Sequence, residues 1–471
     1  MRLADLAGIG GDSRVTGFAI DHRKVAPGTI FGAFRGSVFN GEDFIPAAVG
    51  AGAVAVVARP GVAVEGAAHV AAEEPRREFA RLAARYFEPF PETVVAVTGT
   101  NGKTSSVELT RQLWRMAGHH AASIGTLGVT TADDRTTTGL TTPDIVTFLS
   151  NMAGLAREGV THAAFEASSH GLSQYRTEGL PVRAGAFTNF TRDHLDYHET
   201  MEAYFEAKMR LFDEVVEPGG TAVVWTDDPK SDEVCGRAEA RGLRLLTVGR
   251  RGEALRLVDR EPTQLGQRLT VEAGAKTHRI ELPLIGAYQA ANALTAAGLV
   301  LATGGDLDRT LACLPRVQGV RGRLERAVIT RAGAPVYVDY AHTPDAIEAA
   351  IAALRPHARD RLIIVFGAGG DRDVGKRAQM GSVAARLADL AIVTDDNPRS
   401  EDPARIRRDI LEGAVEAREV SGRREAIAAA VAEAGAGDIV LLAGKGHEQG
   451  QIVGDRILPF DDVTVARECA A

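Results

Sequence analysis

The stretch Gly99-Thr100-Asn101-Gly102-Lys103-Thr104 decides how this chain reads, because it stands between the apolar run Thr93-Val94-Val95-Ala96-Val97 and a segment of helical composition. A glycine-rich turn between a strand and a helix aims consecutive backbone N–H groups outward. The helix N-terminus adds its dipole, so the turn wraps phosphate oxygens. Lys103 supplies a point charge for the β/γ-phosphates, and the Thr104 hydroxyl is suited to Mg²⁺. Strand, turn, Lys-Thr and helix in this order predict an ATP or GTP site, against the plainer reading of a tight turn with a capping threonine. No Asn-Lys-x-Asp guanine reader follows, which disfavours a switch-type GTPase.

Outward from this loop, strand candidates at 163–165, 184–188 and 221–224 alternate with helical segments, which predicts a parallel sheet covered on both faces. Glu166-Ala167-Ser168-Ser169-His170-Gly171 follows the first candidate, and Asp193-His194-Leu195-Asp196-Tyr197-His198 follows the second. Polar groups at the C-terminal ends of parallel strands converge on the mouth of the sheet, where the phosphate loop also sits. Mg²⁺ prefers oxygen, so Glu166 and Thr104 are its expected ligands, with His194 suited to a second ion.

A further α/β pattern begins near 319–322, with strands expected at 336–338, 362–365, 390–393 and 439–442 forming a compact open sheet. Four polar loops follow them, carrying Asp339, Arg372, Asp396-Asn397-Pro398-Arg399 and Gly444-Lys445-Gly446-His447-Glu448. Each alone reads as a helix cap or Asx turn. Together, with Arg372 and Arg399 set against Asp396 and Glu448, they predict a pocket for a zwitterion. Before the phosphate loop lie short β-rich runs at 28–34 and 54–57, a helix over 76–87, and Glu88-Pro89-Phe90-Pro91 as a linker. Three α/β units are therefore expected: 1–90, 91–320 and 321–471.

The chain has 471 residues, with 54 Lys+Arg against 62 Asp+Glu and a net charge of −8. This mild acidity argues against a nucleic-acid partner. Hydrophobic content of 45% and charged content of 25% exclude disordered and fibrous classes. The cysteines, Cys235, Cys313 and Cys469, are far apart and lack metal-ligand spacing, as expected in a reducing compartment. Asp5 and Asp12 interrupt the N-terminal apolar residues, so no signal peptide is read, and a cytoplasmic location is expected. The uncharged stretch 282–305 carries Gln289, Asn292, Thr295 and Thr303 and reads as a buried helix, not a membrane span.

Taken together, these motifs resemble the Mur ligase family of ATP-dependent, amide-forming enzymes of peptidoglycan precursor synthesis, over nearly the whole chain. The resemblance implies a small UDP-binding α/β unit, a central P-loop ATPase-like parallel sheet and a C-terminal Rossmann-like unit. Asp21-His22-Arg23, Pro27-Gly28 and Phe31 resemble the family's uridine-binding segment, implying contacts from Ile20 and His22; Gly41 to Ile45 resembles its next motif. Residues 99–105, ending at Ser105, resemble the family's ATP loop, with Asn292, Arg323 and Asp339 as further ATP contacts. Thr141, Thr142, Ser168, Gln174 and Arg176 match positions contacting the UDP-sugar-dipeptide. On its own, Lys208 reads as a surface helix lysine. The segment Tyr204 to Phe212 instead resembles the one whose lysine is carbamylated, so that CO₂ on the neutral amine supplies oxygens to Mg²⁺. Such an adduct requires a pKa well below about 10.4.

Asp396-Asn397-Pro398-Arg399 is similar to the signature of members adding meso-diaminopimelate, and lysine-adding members lack that arginine. A planar guanidinium can grip the distal carboxylate that lysine does not have. Arg372, Gly444 and Glu448 match the remaining amino-acid-binding positions. The implied reaction activates the D-Glu γ-carboxylate of UDP-MurNAc-L-Ala-D-Glu as an acyl phosphate, with Lys103, Lys208, Glu166 and His194 in the catalytic set; the amine then attacks. A monomer whose C-terminal unit closes by rotation is expected. Rival readings are a lysine-adding, other Mur-type or folylpolyglutamate-type ligase, a P-loop motor and a non-catalytic scaffold. The chain departs from the family's pattern at His22, Trp225 and Gln289, where Ser, Asn and Asn are usual. Altered packing or nucleotide contacts are expected there.

Overall fold

Val94, Val95, Ala96 and Val97 are all without solvent exposure, so their strand, Thr93–Thr98, is covered on both faces. Parallel strands between two helical layers read as continuous apolar runs for this reason. The computed structural model describes the chain except residues 10, 37–38, 132–134, 137–139 and 264–265. Around Thr93–Thr98 the parallel strands run in the order Arg244–Gly249, Val216–Trp225, Val182–Phe187, Thr93–Thr98, His162–Glu166 and Ala121–Gly125. The loop 99–105 therefore leaves the middle of a parallel sheet.

The edges of this sheet differ from the uniformly parallel expectation. Leu255–Thr263 pairs parallel to Arg244–Gly249, and Gly266–Ala273 and Lys276–Leu282 then continue as an antiparallel meander. At the other edge Gly128–Thr130 and Arg135–Thr136 also pair antiparallel. The meander has the period of a one-sided strand: Leu255, Leu257, Leu269, Val271, Ile280 and Leu282 are buried, while charged residues between them face solvent. The uncharged stretch is the buried helix Ala287–Ala302, packed with Lys103–Met116 on one face of the sheet. Its alanines and Gly298 permit this approach, since a Cβ on Gly298 would sit 2.7 Å from a Val223 methyl.

Residues before the linker form a four-stranded parallel sheet, Gly17–Ala19, Thr29–Gly32, Ala55–Ala58 and Ala68–Ala71. The helix Pro75–Phe87 buries Phe79, Leu82 and Ala83 in a core shared with the central sheet. In the C-terminal part the four expected strands sit side by side, extended by Glu325–Ile329 at one edge and Arg418–Glu419 at the other. Only the first pairing is antiparallel. Pro344–Leu354, Arg377–Leu387 and Pro403–Leu411 cover one face, and Arg423–Glu433 and Asp462–Ala470 the other. No helix among the described residues is long and apolar enough to cross a membrane.

Under the loops of this last sheet lies a fully buried ion pair. Arg423 reaches both oxygens of Asp462, at 2.8 and 2.6 Å, and the Ala443 carbonyl at 2.9 Å, with neither side chain exposed. Removing one partner strands a desolvated charge, which costs about 3–5 kcal/mol, whereas replacing both by apolar residues is often close to neutral. Asp462→Ala is therefore expected to destabilise by that amount in urea titration followed by circular dichroism, and Arg423→Met with Asp462→Leu by much less.

Candidate active site

The phosphate-type loop keeps its shape through two glycines. Gly99 has φ 144° and Gly102 φ 88°, conformations that side chains rarely adopt. A Cβ on Gly99 would collide with the Thr188 hydroxyl, and one on Gly102 with the Asn292 amide. The half-buried Lys103 folds over the loop and donates to the carbonyls of Gly99 (2.9 Å) and Thr100 (2.8 Å). Burial lowers its pKa, and the charges of Glu166 and Asp193 oppose that shift. Thr104 accepts from Arg323 at 3.0 Å; Gln289 donates to the Arg323 carbonyl and accepts from Asn292. Ser105 is buried and lines the same cavity.

Lys208 is not the surface lysine its own helix suggests. It is 1% exposed, donates to the Gly99 carbonyl at 2.7 Å, and lies 4.3 Å above the Tyr204 ring. Burial, reinforced by Lys103, holds its pKa well below the usual lysine range.

Glu166, at the end of the adjacent strand, accepts from the Thr126 backbone N–H (2.7 Å) and hydroxyl (3.1 Å). The resemblance-derived residues chain onto it. Thr141 meets Thr126; Thr142 donates to the Glu166 carbonyl and meets Ser168. Arg176 ties the Thr142 carbonyl to Gln174, which reaches Tyr197. Thr126, Thr141, Glu166, Ser168, Asp193, His194 and Lys208 all line one cavity of about 490 Å³ with the phosphate loop. Asn292, Arg323 and Asp339 line it too, although Asp339 is already engaged: it accepts from the N–H groups of Leu324 and Ala341 and from Tyr288.

Asp193, His194, Tyr340 and His342 also line a second cavity of about 210 Å³, with Arg372, Asp396, Asn397, Arg399, Gly444 and Glu448 on its other walls. Partial burial lowers the His194 pKa and Asp193 opposes that shift, so the neutral imidazole, with a lone pair for a metal or a proton, is favoured. Burial opposes ionisation of Asp193, yet His194, His342 and Lys376 keep its pKa below the usual carboxylate range.

In the second cavity Arg372 and Arg399 share the wall with Asp396 and Glu448, and the two acids take other partners. Glu448 accepts from Asn397 (2.8 Å) and from the unexposed Lys445 (3.2 Å), and Lys445 also donates to Asn397. Asp396 faces Arg423 at 3.9 Å. Arg399, in a left-handed conformation, donates to the carbonyls of Gly370 and Asn397 and lines the cavity beside Arg372. Pro398 contributes its carbonyl, which accepts from Glu401. Lys445 was missed, although a lysine between two glycines after a buried strand was its signal. Arg423 and Lys376 had none.

Ile20 and His22 lie apart from both cavities, in a third of about 840 Å³ also lined by Asp144, Thr147 and Asn151. His22 stacks on Phe44 with ring centres 4.4 Å apart.

A magnesium site must be tested against these donors. No group of three His, Cys, Asp or Glu side chains is assembled for a metal among the described residues. Mg²⁺ binds through one or two carboxylates plus phosphates and waters, so the Thr104 hydroxyl and Glu166 fit it. The Lys208 ammonium has no lone pair and fits only as a carbamate.

Residues 97–300 match the family model described as Mur ligase middle domain, and 322–446 that described as Mur ligase, glutamate ligase domain. The chain is 60% identical to the UDP-N-acetylmuramoyl-L-alanyl-D-glutamate–2,6-diaminopimelate ligase of Zymomonas mobilis, over 97% of this chain and 95% of that protein. It is 51% identical to that of Bradyrhizobium diazoefficiens, over 98% and 97%. A solved structure of such a ligase superposes with a TM-score of 0.72 at 32% identity, covering 100% of this chain and 98% of that one. With both matched regions carrying the loop and the paired cavities, this chain belongs to the Mur ligase family.

Proposed function

We propose that the chain joins meso-2,6-diaminopimelate to the D-Glu γ-carboxylate of UDP-MurNAc-L-Ala-D-Glu, consuming ATP, in peptidoglycan precursor synthesis. One observation carries this reading: Arg399 lines a cavity that shares Asp193 and His194 with the cavity of the phosphate loop. The named activity of the relatives agrees with it. Residues 1–90 hold the UDP end, with Ile20 and His22 at its cavity; 91–320 hold ATP and the dipeptide; 321–471 hold the amino acid. The same reading takes the chain to be a monomer working in the cytoplasm.

In this mechanism the γ-carboxylate oxygen attacks the γ-phosphorus of ATP, the bond to the bridging oxygen breaks, and ADP leaves an acyl phosphate. The loop amides and Lys103 hold the phosphates, while Thr141, Thr142, Ser168, Gln174 and Arg176 orient the dipeptide. Mg²⁺, when bound by Thr104, Glu166, His194 and carbamylated Lys208, supplies charge neutralisation. Arg372 and Arg399 grip the amino-acid carboxylates, and Glu448 and Asp396 hold an ammonium. The neutral amine attacks the acyl carbon and expels phosphate. Most of the acceleration comes from positioning and charge stabilisation.

Phosphate release with ATP and UDP-MurNAc-L-Ala-D-Glu is expected with meso-diaminopimelate, and to stay at background with L-lysine or no amine. Equal release with lysine would refute the assignment. Arg399→Ala is expected to raise the KM for diaminopimelate by roughly 10- to 150-fold, since a hydrogen bond to a charged group is worth about 1.5–3 kcal/mol.

Carbamylation of Lys208 needs its neutral amine, and a lowered pKa enlarges that fraction at pH 7–8. Activity is therefore expected to fall in CO₂-stripped buffer and return with bicarbonate. ¹³C-bicarbonate is expected to give a carbamate resonance that Lys208→Gln abolishes, with kcat lowered about 100-fold or more. An unlabelled, fully active wild type would rule this out.

A further inference from the structure

The phosphate-loop cavity straddles the strand Thr93–Thr98, and its two sides differ in chemistry. On one side the ends of His162–Glu166 and Ala121–Gly125 bring Glu166, Ser168 and Thr126. On the other, Val182–Phe187 and Val216–Trp225 follow, and Trp225 closes the second of these strands. Neighbouring strands lie about 4.8 Å apart, so Trp225 stands roughly 10 Å from the phosphate loop, across the sheet from the acidic groups. That is the distance a nucleoside occupies beyond its own phosphates.

The wall there carries the rings of Trp225 and Tyr288 with Ala291 and Ala346, and the carboxylates of Asp227, Asp228 and Asp345 at its rim. Trp225 is half-buried, while Val223 and Val224 before it are unexposed. Ala291, Asn292 and Thr295 share one face of the helix Ala287–Ala302, by their spacing of three and four. Thr295 lines the cavity, and its buried hydroxyl has no hydrogen-bond partner. An orphaned hydroxyl in a cavity wall calls for an occupant that satisfies it.

We propose that Trp225 is the face on which the nucleobase of ATP stacks, with Thr295 beneath its edge. This rests on the use of ATP proposed above and adds the residue that holds the base. The indole plane of Trp225 can grip any base by its π-face.

The test is equilibrium binding of ADP and of inorganic tripolyphosphate to the full chain, by calorimetry and by tryptophan emission. The chain has two tryptophans. The other, Trp114, is 1% exposed with its N–H on the Thr303 hydroxyl, and so serves as a constant background. ADP is expected to quench the wild-type emission, and tripolyphosphate to leave it unchanged. Trp225→Ala is expected to weaken ADP roughly tenfold or more, the equivalent of about 1–3 kcal/mol for base–aromatic stacking, and to spare tripolyphosphate. Trp225→Phe is expected to recover most of that affinity and lose the quench, which separates stacking from misfolding. The inference is overturned if Trp225→Ala binds ADP like the wild type, or if the quench survives in Trp225→Phe. If the wild type binds neither ligand, and Lys103→Ala changes nothing, the ATP reading falls with it.

Discussion

Lys103 and Lys208 both donate to the carbonyl of Gly99, at 2.9 and 2.7 Å, in a region withdrawn from solvent. Two ammonium groups on one acceptor repel each other strongly where water screens poorly. The surroundings settle this unequally. Burial works against both protons, but Glu166 and Asp193 support that of Lys103, whereas Lys208 has Lys103 against it as well and only Asp193 in support, so its pKa falls further. Of the two, Lys208 is the one biased further toward a neutral amine. The two glycines of the loop let both reach this carbonyl, and the chemistry assigned to the site depends on the asymmetry between them.

The loop and the strands around it were legible because their signals are local. A run such as Leu362-Ile363-Ile364-Val365 can satisfy its burial only as a covered strand, and a glycine-rich turn before Lys-Thr has few alternatives. The helix over 76–87 and the buried helix within 282–305 were legible for similar reasons. The meander over 255–282 was not read, although its apolar residues alternate. Arginines and glutamates fill the positions between them, and the exposed half of an edge sheet looks like loop when each strand is taken alone.

Lys208 shows where local reading ends. Its helix, Met201–Arg210, carries Glu202, Glu206 and Arg210, so its composition is that of a surface element. Only the packing of Tyr204, Phe205, Ala207 and Met209 turns the lysine inward, and that packing comes from residues far along the chain. The same holds for the second cavity. Its loops were recognisable as polar strand ends, but Lys445 bridging Asn397 and Glu448, and Arg423 facing Asp396, depend on side chains brought together by the whole sheet.

The two cavities meet through residues of different parts of the chain, and this constrains how the site can work. Arg323 reaches back to Thr104, and Arg192 faces Asp373 at 3.4 Å, so the phosphate loop and the amino-acid loops are already in contact across the junction. Asp193 and His194, from the central sheet, and Tyr340 and His342, from the C-terminal sheet, line both cavities. An acyl group bound beside Thr141 and Ser168, as proposed, would be separated from the amine by this shared wall. A rotation of one sheet against the other would withdraw Arg323, Tyr340 and His342 from the phosphate-loop cavity, while the hydrogen bonds from Thr126 to Glu166 and from Asn397 to Glu448, each within a single part of the chain, would survive it.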